Sequence, residues 1–225
     1  MFSQHSLDCS FPRIAQSAAR FRTHVMLHIF GGAALLLTTD IRLVAEDIDR
    51  LSFTGSYGSF NERMLKKILG PLIRSSAQSD ILENDPVANI QAPFSNIPLP
   101  HDVFQPYGTY VSTDGDGLSV WVAPPKMVLA SKATSNREKD IHDCANICWM
   151  LGIDDPEELR HLVNQYFTLT PQLVRARGAN RDLSPDDNFG EIFETLQGLK
   201  ESHEGVRRPQ LKSVVPKFVP IIHGI

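Results

Sequence analysis

The sequence contains few cysteines, and nothing in their arrangement suggests disulfides. They are Cys9, Cys144 and Cys148, and the last two stand four apart in a helical pattern, where we interpret them as reduced core residues. Reduced cysteines predict a cytoplasmic location, because disulfides persist in oxidising compartments. A metal site that joins the last two to His142 is the alternative, but its spacing matches no common zinc pattern.

Long apolar runs and a strong net charge are also lacking. No run reaches the roughly 18 residues of a spanning helix, so the sequence predicts no membrane partner. The formal charge of −4 argues against a protein that coats nucleic acid over its whole surface, and leaves room for a local basic cleft. With 225 residues, 42% of them hydrophobic, the chain can bury the core of one large domain or of a domain with an appendage.

Two common catalytic motifs are absent from the sequence. It contains no Gly-x-x-x-x-Gly-Lys-Ser/Thr run, the phosphate loop of many nucleotide-binding enzymes. It contains no Gly-x-Ser-x-Gly nucleophile elbow either. These absences argue against a P-loop enzyme and against a hydrolase of the elbow type.

Residues 1–23 allow two interpretations. They contain three arginines, several serines and a single acid, Asp8, a composition that mitochondrial transit peptides share. Residues 12–22 also predict a first helix that leads into a strand, and we prefer that interpretation.

The clearest local pattern is a strand, a glycine turn, a helix and a second strand. Residues 24–30 are apolar and branched enough for a buried strand, which Gly31-Gly32 interrupts. Residues 33–37 favour a helix. Residues 45–53 alternate between two faces and predict a strand that ends within residues 55–58.

The middle of the chain predicts an amphipathic helix at residues 61–73, kinked or divided at Gly70-Pro71. Four prolines between residues 75 and 101 leave room for no more than a short strand near Ile81. Residues 109–123 predict a hairpin.

The acids of that hairpin, Asp114 and Asp116, are predicted to be turn residues. A calcium loop would need further acidic ligands, including a bidentate glutamate that is missing here.

From residue 124 onward the pattern is helical. The predicted helices span residues 126–134, 135–151 with Ser135 and Glu138 as a capping box, 155–167, a short stretch near 170, and 189–202. The apolar end, residues 214–222, predicts either a strand added to the core or an arm that docks on a protein partner.

These elements predict an α+β fold, in which a small mixed β-sheet is flanked by helices and carries an appended helical subdomain. The expected division is an α/β core at residues 1–123, a helical subdomain at 124–170, and a C-terminal helix and tail at 171–225.

Gly31-Gly32 and Asp47-Ile48-Asp49 carry the strongest indication of function. Two carboxylates two residues apart on a strand project to the same side, about 7 Å apart, so Asp47 and Asp49 could bind one Mg²⁺ or bridge two. A glycine pair at the start of a helix offers closely approaching amides to phosphates. Metals held in this way would activate an attacking oxygen and neutralise a leaving pyrophosphate.

In this order, the motifs resemble the nucleotidyltransferase superfamily, which includes DNA polymerase beta, antibiotic nucleotidyltransferases and toxin-type enzymes of bacterial abortive-infection systems. The likeness is greatest to the uncharacterised and toxin-related branch, in which Gly-Gly-x-Ala-Leu precedes an arginine and then Asp-hydrophobic-Asp. Arg42 occupies the place of that arginine. A second block, Leu129-Ala130-Ser131-Lys132 with Arg137-Glu138-Lys139-Asp140 and Asp143, resembles the helical pattern of the same branch.

The resemblance covers about residues 12–167 and implies transfer of a nucleotide from a nucleoside triphosphate. The acceptor is left open between a protein, a small hydroxylated molecule and an RNA end. Asp47 and Asp49 are implied as catalytic ligands of Mg²⁺. The implied nucleotide-binding residues are Gly31, Gly32, Arg42, Lys132, Arg137 and Lys139.

Active members of the superfamily often carry a third carboxylate on a later strand, to bind metal or to act as base. The candidates here are Asp80, Glu83 and Asp102, of which we choose Asp80, before Ile81-Leu82. None of them lies in a clear strand pattern. The alternative hypothesis is therefore a nucleotidyltransferase fold that has lost catalysis and serves as a binding or regulatory module.

Overall fold

A computed structural model of the chain describes residues 2–45, 48–55, 58–59, 68–69, 90–91, 103–135, 137–166, 185–202 and 207–221. The fold is mixed α/β, with a mixed sheet and flanking helices. The chain divides into two compact units. The first comprises Met1–Thr38, Arg42–Ala123 and Ser213–Ile225, and the second comprises Thr39–Ile41 and Pro124–Lys212.

The first unit is built on a seven-stranded sheet with the order β5-β4-β2-β8-β7-β9, in which β6 also pairs with β4. The strands are β2 (His24–Phe30), β4 (Ile48–Gly55), β5 (Gly58–Ser59), β6 (Ile90–Gln91), β7 (Gln105–Val111), β8 (Gly117–Val122) and β9 (Lys217–Pro220). A separate two-stranded sheet joins β1 (Phe2–Ser3) to β3 (Val44–Ala45). The predicted strand at 45–53 is thus divided between β3 and β4.

The central sheet is mixed because β2 pairs antiparallel with β4 and parallel with β8. Its apolar residues alternate: Val25, Leu27 and Ile29 are completely buried, while Met26 between the first two is partly exposed. The predicted hairpin is confirmed as β7 and β8, although β7 begins earlier, at Gln105. Its turn is closed by a hydrogen bond from the Gly115 amide to the Ser112 carbonyl, as expected for turn residues.

Helix α1 (Gln4–Arg20) begins eight residues before the predicted start at residue 12. Pro12 lies inside this helix, so the predicted start of the helix at that residue was wrong. The Ser3 side chain accepts a hydrogen bond from the Ser6 amide and caps the true N-terminus. A continuous buried stripe, which includes Leu7, Phe11, Ile14 and Ala18, explains why the helix extends through the proline.

Helix α2 (Gly31–Thr38) follows β2 directly and is buried along almost its whole length. The chain end returns to the same sheet: β9 pairs parallel with β7, and the Ile221 amide donates to the Val111 carbonyl. The sequence predicted either an added strand or a docking arm for residues 214–222. The added strand is found, at residues 217–220.

The second unit contains α3 (Pro125–Lys132), α4 (Glu138–Leu151), α5 (Pro156–Tyr166) and α6 (Pro185–Ser202). The predicted stop of α4 is confirmed, because Gly152 is left-handed with φ 76°. The capping box was wrong: Arg137 is the N-cap residue, and Ser135 donates to the Asp140 carboxylate instead. Part of the predicted C-terminal segment, residues 185–202, belongs to this unit as α6.

Several predicted elements fall outside the described residues. They are the strand near Ile81, the short helix near residue 170 and most of the helix at 61–73. Ile68 and Leu69 of that helix are described, and both are helical and buried.

Candidate functional site

The candidate site in the first unit lies where β2 meets α2. Gly31 begins the helix with φ 63°, a left-handed conformation that glycine adopts without strain. The change from strand to helix therefore takes a single residue, and the first amides of α2 lie directly at the end of β2. Unpaired amides at a helix N-terminus, with the positive end of the helix dipole, favour anions.

Arg42 reaches back to this junction. A Cβ atom on Gly32 would lie 3.1 Å from Arg42 Nη1 and 3.6 Å from Cζ, so the guanidinium packs against the bare backbone of that glycine. The Arg42 side chain is half-buried. The structure thus brings together three of the predicted nucleotide-binding residues, Gly31, Gly32 and Arg42.

Strand β4 places Asp49 beside the same junction. Its backbone pairs with that of Phe30, the residue immediately before Gly31. The register shifts between His28 and Ile29, a bulge of the kind often found next to active sites. On the other side of β4, the backbone of Gln91 in β6 is level with Asp49.

Two of the predicted catalytic carboxylates, Asp47 and Asp80, lie outside the described residues. Within the ranges that the structure does describe, no group of three or more His, Cys, Asp and Glu side chains converges in a way that could hold a metal ion. The same ranges contain no helix that is long and apolar enough to cross a membrane.

The second block of the sequence forms a buried charge cluster in the second unit. Lys132 at the end of α3 makes ion pairs with Asp140 and Asp143 of α4, the latter at 3.0 Å between Nζ and Oδ2. The Asp140 carboxylate also accepts hydrogen bonds from Ser135 Oγ at 2.7 Å and from Arg137 Nε at 2.6 Å. Asp140 is completely buried, and the side chain of Lys132 is 9% exposed.

The charges in this cluster stabilise one another. Burial disfavours the charged form of Lys132, but attraction by Asp143 and Asp140 outweighs it and raises the pKa of the ammonium. Burial likewise opposes ionisation of Asp140, while Lys132, Ser135 and Arg137 lower the pKa of that carboxyl. Both groups are therefore charged at neutral pH, and the cluster joins α3 to α4.

The three predicted basic residues of this block occupy different environments. The Lys132 ammonium is enclosed by carboxylates, whereas the side chain of Arg137 is 58% exposed and Lys139 is exposed on α4. These residues belong to the second unit, and the glycine junction belongs to the first.

Asn188 is a residue of this region that the sequence analysis missed. Its side chain is buried, and its amide donates to the carbonyls of Ala133 and Ser135, which form the turn between α3 and α4. The sequence signal was weak, because this asparagine lies 53 residues from Ser135, in the segment predicted to be a C-terminal helix and tail.

The two buried cysteines behave as predicted. Cys144 and Cys148 are free thiols in the core of the second unit. Burial raises the pKa of Cys144, and it raises the pKa of Cys148 to about 12. Both thiols are therefore protonated and unreactive at neutral pH.

Comparison with known proteins produced no relative: the chain matches no family model, no curated protein and no solved structure.

Proposed function

We propose that this chain is a magnesium-dependent, nucleotidyltransferase-like protein, which transfers a nucleotide from a nucleoside triphosphate to an acceptor. The observation that carries the proposal is the junction of β2 and α2. There, the glycine turn, the Arg42 guanidinium and the backbone of Asp49 lie side by side.

The phosphate-binding part of the proposal rests on charge and access. The amides of α2 begin at Gly31, and the guanidinium of Arg42 packs against Gly32. Guanidinium groups bind phosphates through charge-assisted hydrogen bonds. A triphosphate bound here would contact the helix amides and the guanidinium, which are adjacent positive groups. Gly32 has no side chain that would block its approach.

The metal-binding part rests on the register of β4. Because Asp49 pairs with Phe30, a cation bound by its carboxylate would be near phosphates held by α2. Mg²⁺ suits a site of this kind, since it takes one or two carboxylates and completes its shell with phosphates and water. Asp47, two residues earlier, is the second proposed ligand.

In the second unit, the proposal assigns different roles to the basic residues. Lys132 donates to two carboxylates, which favours a positioning role between α3 and α4. The side chains of Arg137 and Lys139 are exposed, and their role in nucleotide binding stays a prediction.

The test is incubation of the purified protein with labelled nucleoside triphosphates and Mg²⁺, with and without cellular protein and RNA as acceptors. We expect incorporation that Asp49→Ala reduces by about a hundredfold or more, because metal ligands stabilise the transition state by several kcal/mol. Asp114→Ala, in the exposed hairpin turn, is the matched control and should leave incorporation unchanged. Absence of both binding and transfer would refute the proposal.

A second candidate function is nucleotide binding without turnover, in a binding or regulatory module. It is favoured by Gln91, which is level with Asp49 on the adjacent strand β6. An amide at that position cannot replace the negative charge or the proton acceptor that a third carboxylate supplies.

Isothermal titration with each triphosphate distinguishes the two candidates. Binding with Mg²⁺ but no incorporation into any acceptor would support the module. Under that hypothesis, Gln91→Glu is expected to strengthen Mg²⁺ binding, because it adds a negative charge at the backbone position level with Asp49.

A further inference from the structure

His5 and Cys9 form a pair of metal-ligating side chains outside the clusters described above. They stand four apart on α1, so they lie on the same face of the helix on successive turns. Both are exposed, and the Cys9 Sγ atom lies 3.6 Å from His5 Nε2. One face of α1 therefore holds a sulfur and an imidazole nitrogen next to each other.

The separation of these two atoms fits the geometry of tetrahedral zinc. Zn²⁺ binds thiolate sulfur at about 2.3 Å and imidazole nitrogen at about 2.0–2.1 Å, and at the tetrahedral angle two such ligands stand about 3.6 Å apart. The observed distance of 3.6 Å matches this edge of the tetrahedron. A single ion could therefore contact both atoms at these bond lengths without a change in their separation.

We propose that His5 and Cys9 are a two-ligand site for Zn²⁺. On binding, the S–H bond of Cys9 breaks, its proton passes to solvent and a Zn–S bond forms, while the neutral imidazole donates the lone pair of Nε2. Among the described residues no larger group of metal-ligating side chains is found. The pair would fill two positions of a tetrahedral shell, and in this proposal water or a ligand from another molecule takes the other two.

The nearest acid on the helix is already engaged elsewhere. Asp8 accepts a hydrogen bond from Tyr107 at 2.8 Å and pairs with Lys217 at 3.0 Å. A thiolate also selects zinc over magnesium, because Mg²⁺ prefers oxygen ligands. The site is thus independent of the Mg²⁺ chemistry proposed for the glycine junction, and its test does not use catalysis.

Titration with Co²⁺, a spectroscopic substitute for Zn²⁺, tests the proposal directly. We expect a thiolate-to-cobalt charge-transfer band that saturates with one equivalent and disappears when Zn²⁺ is added. Cys9→Ser should abolish the band, and His5→Gln should weaken Co²⁺ binding by about tenfold or more. His142→Gln, an exposed histidine on α4, is the matched control and should change neither.

Alkylation followed by mass spectrometry gives an independent measurement. Zn²⁺ should slow modification of Cys9 in the wild type but not in His5→Gln, and the buried Cys144 and Cys148 serve as unmodified internal references. The proposal is overturned if the native protein gives no charge-transfer band, or if His5→Gln binds Co²⁺ as tightly as the wild type.

Discussion

At the scale of single residues, Gly115 in the turn between β7 and β8 and Gly117 at the start of β8 differ in what a side chain would contact. Gly117 has φ 151°, and a Cβ atom there would lie 2.0 Å from the Tyr110 carbonyl oxygen. Gly115 has φ 83°, and a Cβ atom there would have no neighbouring atom within 4 Å. An alanine would have a strained backbone conformation at both positions, but only at Gly117 would its methyl group also collide with a backbone atom.

We therefore expect Gly117→Ala to lower the free energy of unfolding by about 3 kcal/mol or more, through strain and overpacking together. Gly115→Ala should cost about 1 kcal/mol, through strain alone. Urea unfolding of both variants measures the difference. Equal losses would mean that the hairpin shifts to admit the methyl group.

A substitution at Gly32 separates phosphate binding from stability. Its methyl group would lie 3.1 Å from Arg42 Nη1, which can move because it ends a flexible side chain. We expect Gly32→Ala to fold normally and to bind nucleoside triphosphate about tenfold more weakly, the loss of one charge-assisted hydrogen bond.

Gly198→Ala is the control for Gly32→Ala, since it lies exposed in α6 with no atom near its Cβ position. It should raise the free energy of unfolding by about 0.5–1 kcal/mol, because alanine favours the helix, and leave nucleotide affinity unchanged. Unchanged affinity in Gly32→Ala would argue against phosphate binding at the glycine junction.

At the scale of secondary structure, the charge cluster joins α3 to α4. Lys132→Met removes the buried cation that Asp140 and Asp143 share, and we expect a loss of about 3–5 kcal/mol in the free energy of unfolding. The combined variant Lys132→Met/Asp140→Asn/Asp143→Asn should recover part of that loss, because no buried charge is left uncompensated and Arg137, which loses its pair with Asp140, is 58% exposed to solvent. A triple variant less stable than Lys132→Met would contradict this account.

The same cluster predicts a pH dependence with a known sign. The pKa of Asp140 is lowered in the folded protein. Its contribution to the free energy of unfolding is therefore present above its pKa in the unfolded chain, about 4, and is lost as the pH falls through the folded pKa. The pKa of Lys132 is raised in the folded protein. Its contribution to the free energy of unfolding is therefore present below its pKa in the unfolded chain, about 10.4, and is lost as the pH rises through the folded pKa.

The difference in free energy of unfolding between the wild type and the triple variant should therefore be greatest between those limits. Urea titrations from pH 3 to pH 10 in the same buffer series measure it, and the difference should shrink at the acid end. A difference that stays constant down to pH 3 would show that Asp140 is not stabilised by its partners.

The elements themselves were largely predictable from sequence because each has a local signal. The alternation of β2, the turn of the β7–β8 hairpin and the left-handed Gly152 at the end of α4 depend on neighbouring residues alone. The start of α1 and the role of Ser135 were not predictable. The first depends on a buried stripe that overrides Pro12, and the second on a carboxylate that tertiary packing encloses.

At the scale of the whole molecule, residues 217–221 pack on the sheet of the first unit beside β7. Strand β9 extends the sheet beyond β7, and Ile221 is 6% exposed, whereas Phe218 is 71% exposed. We expect Ile221→Ala to lower the free energy of unfolding by about 2 kcal/mol, because it removes buried apolar volume. Phe218→Thr, which keeps a strand-forming residue, should change it by less than about 0.5 kcal/mol.

Calorimetric and urea unfolding measure these two variants. If the end of the chain served only as an arm for a protein partner, both substitutions would leave the isolated protein unaffected. A loss confined to Ile221→Ala identifies the end as part of the core.

The sequence by itself determined the order of strand, glycine turn, helix and strand, the four helices described after residue 124 and the free cysteines of the core. Periodicity, turn chemistry and composition act over short distances, so these features depend on neighbouring residues. Only the tertiary structure decided that Arg42 packs against Gly32, that Asp49 pairs with Phe30 and that Lys132 is enclosed by two carboxylates. Those relations depend on strand register and burial, which are set by contacts between residues distant in the chain.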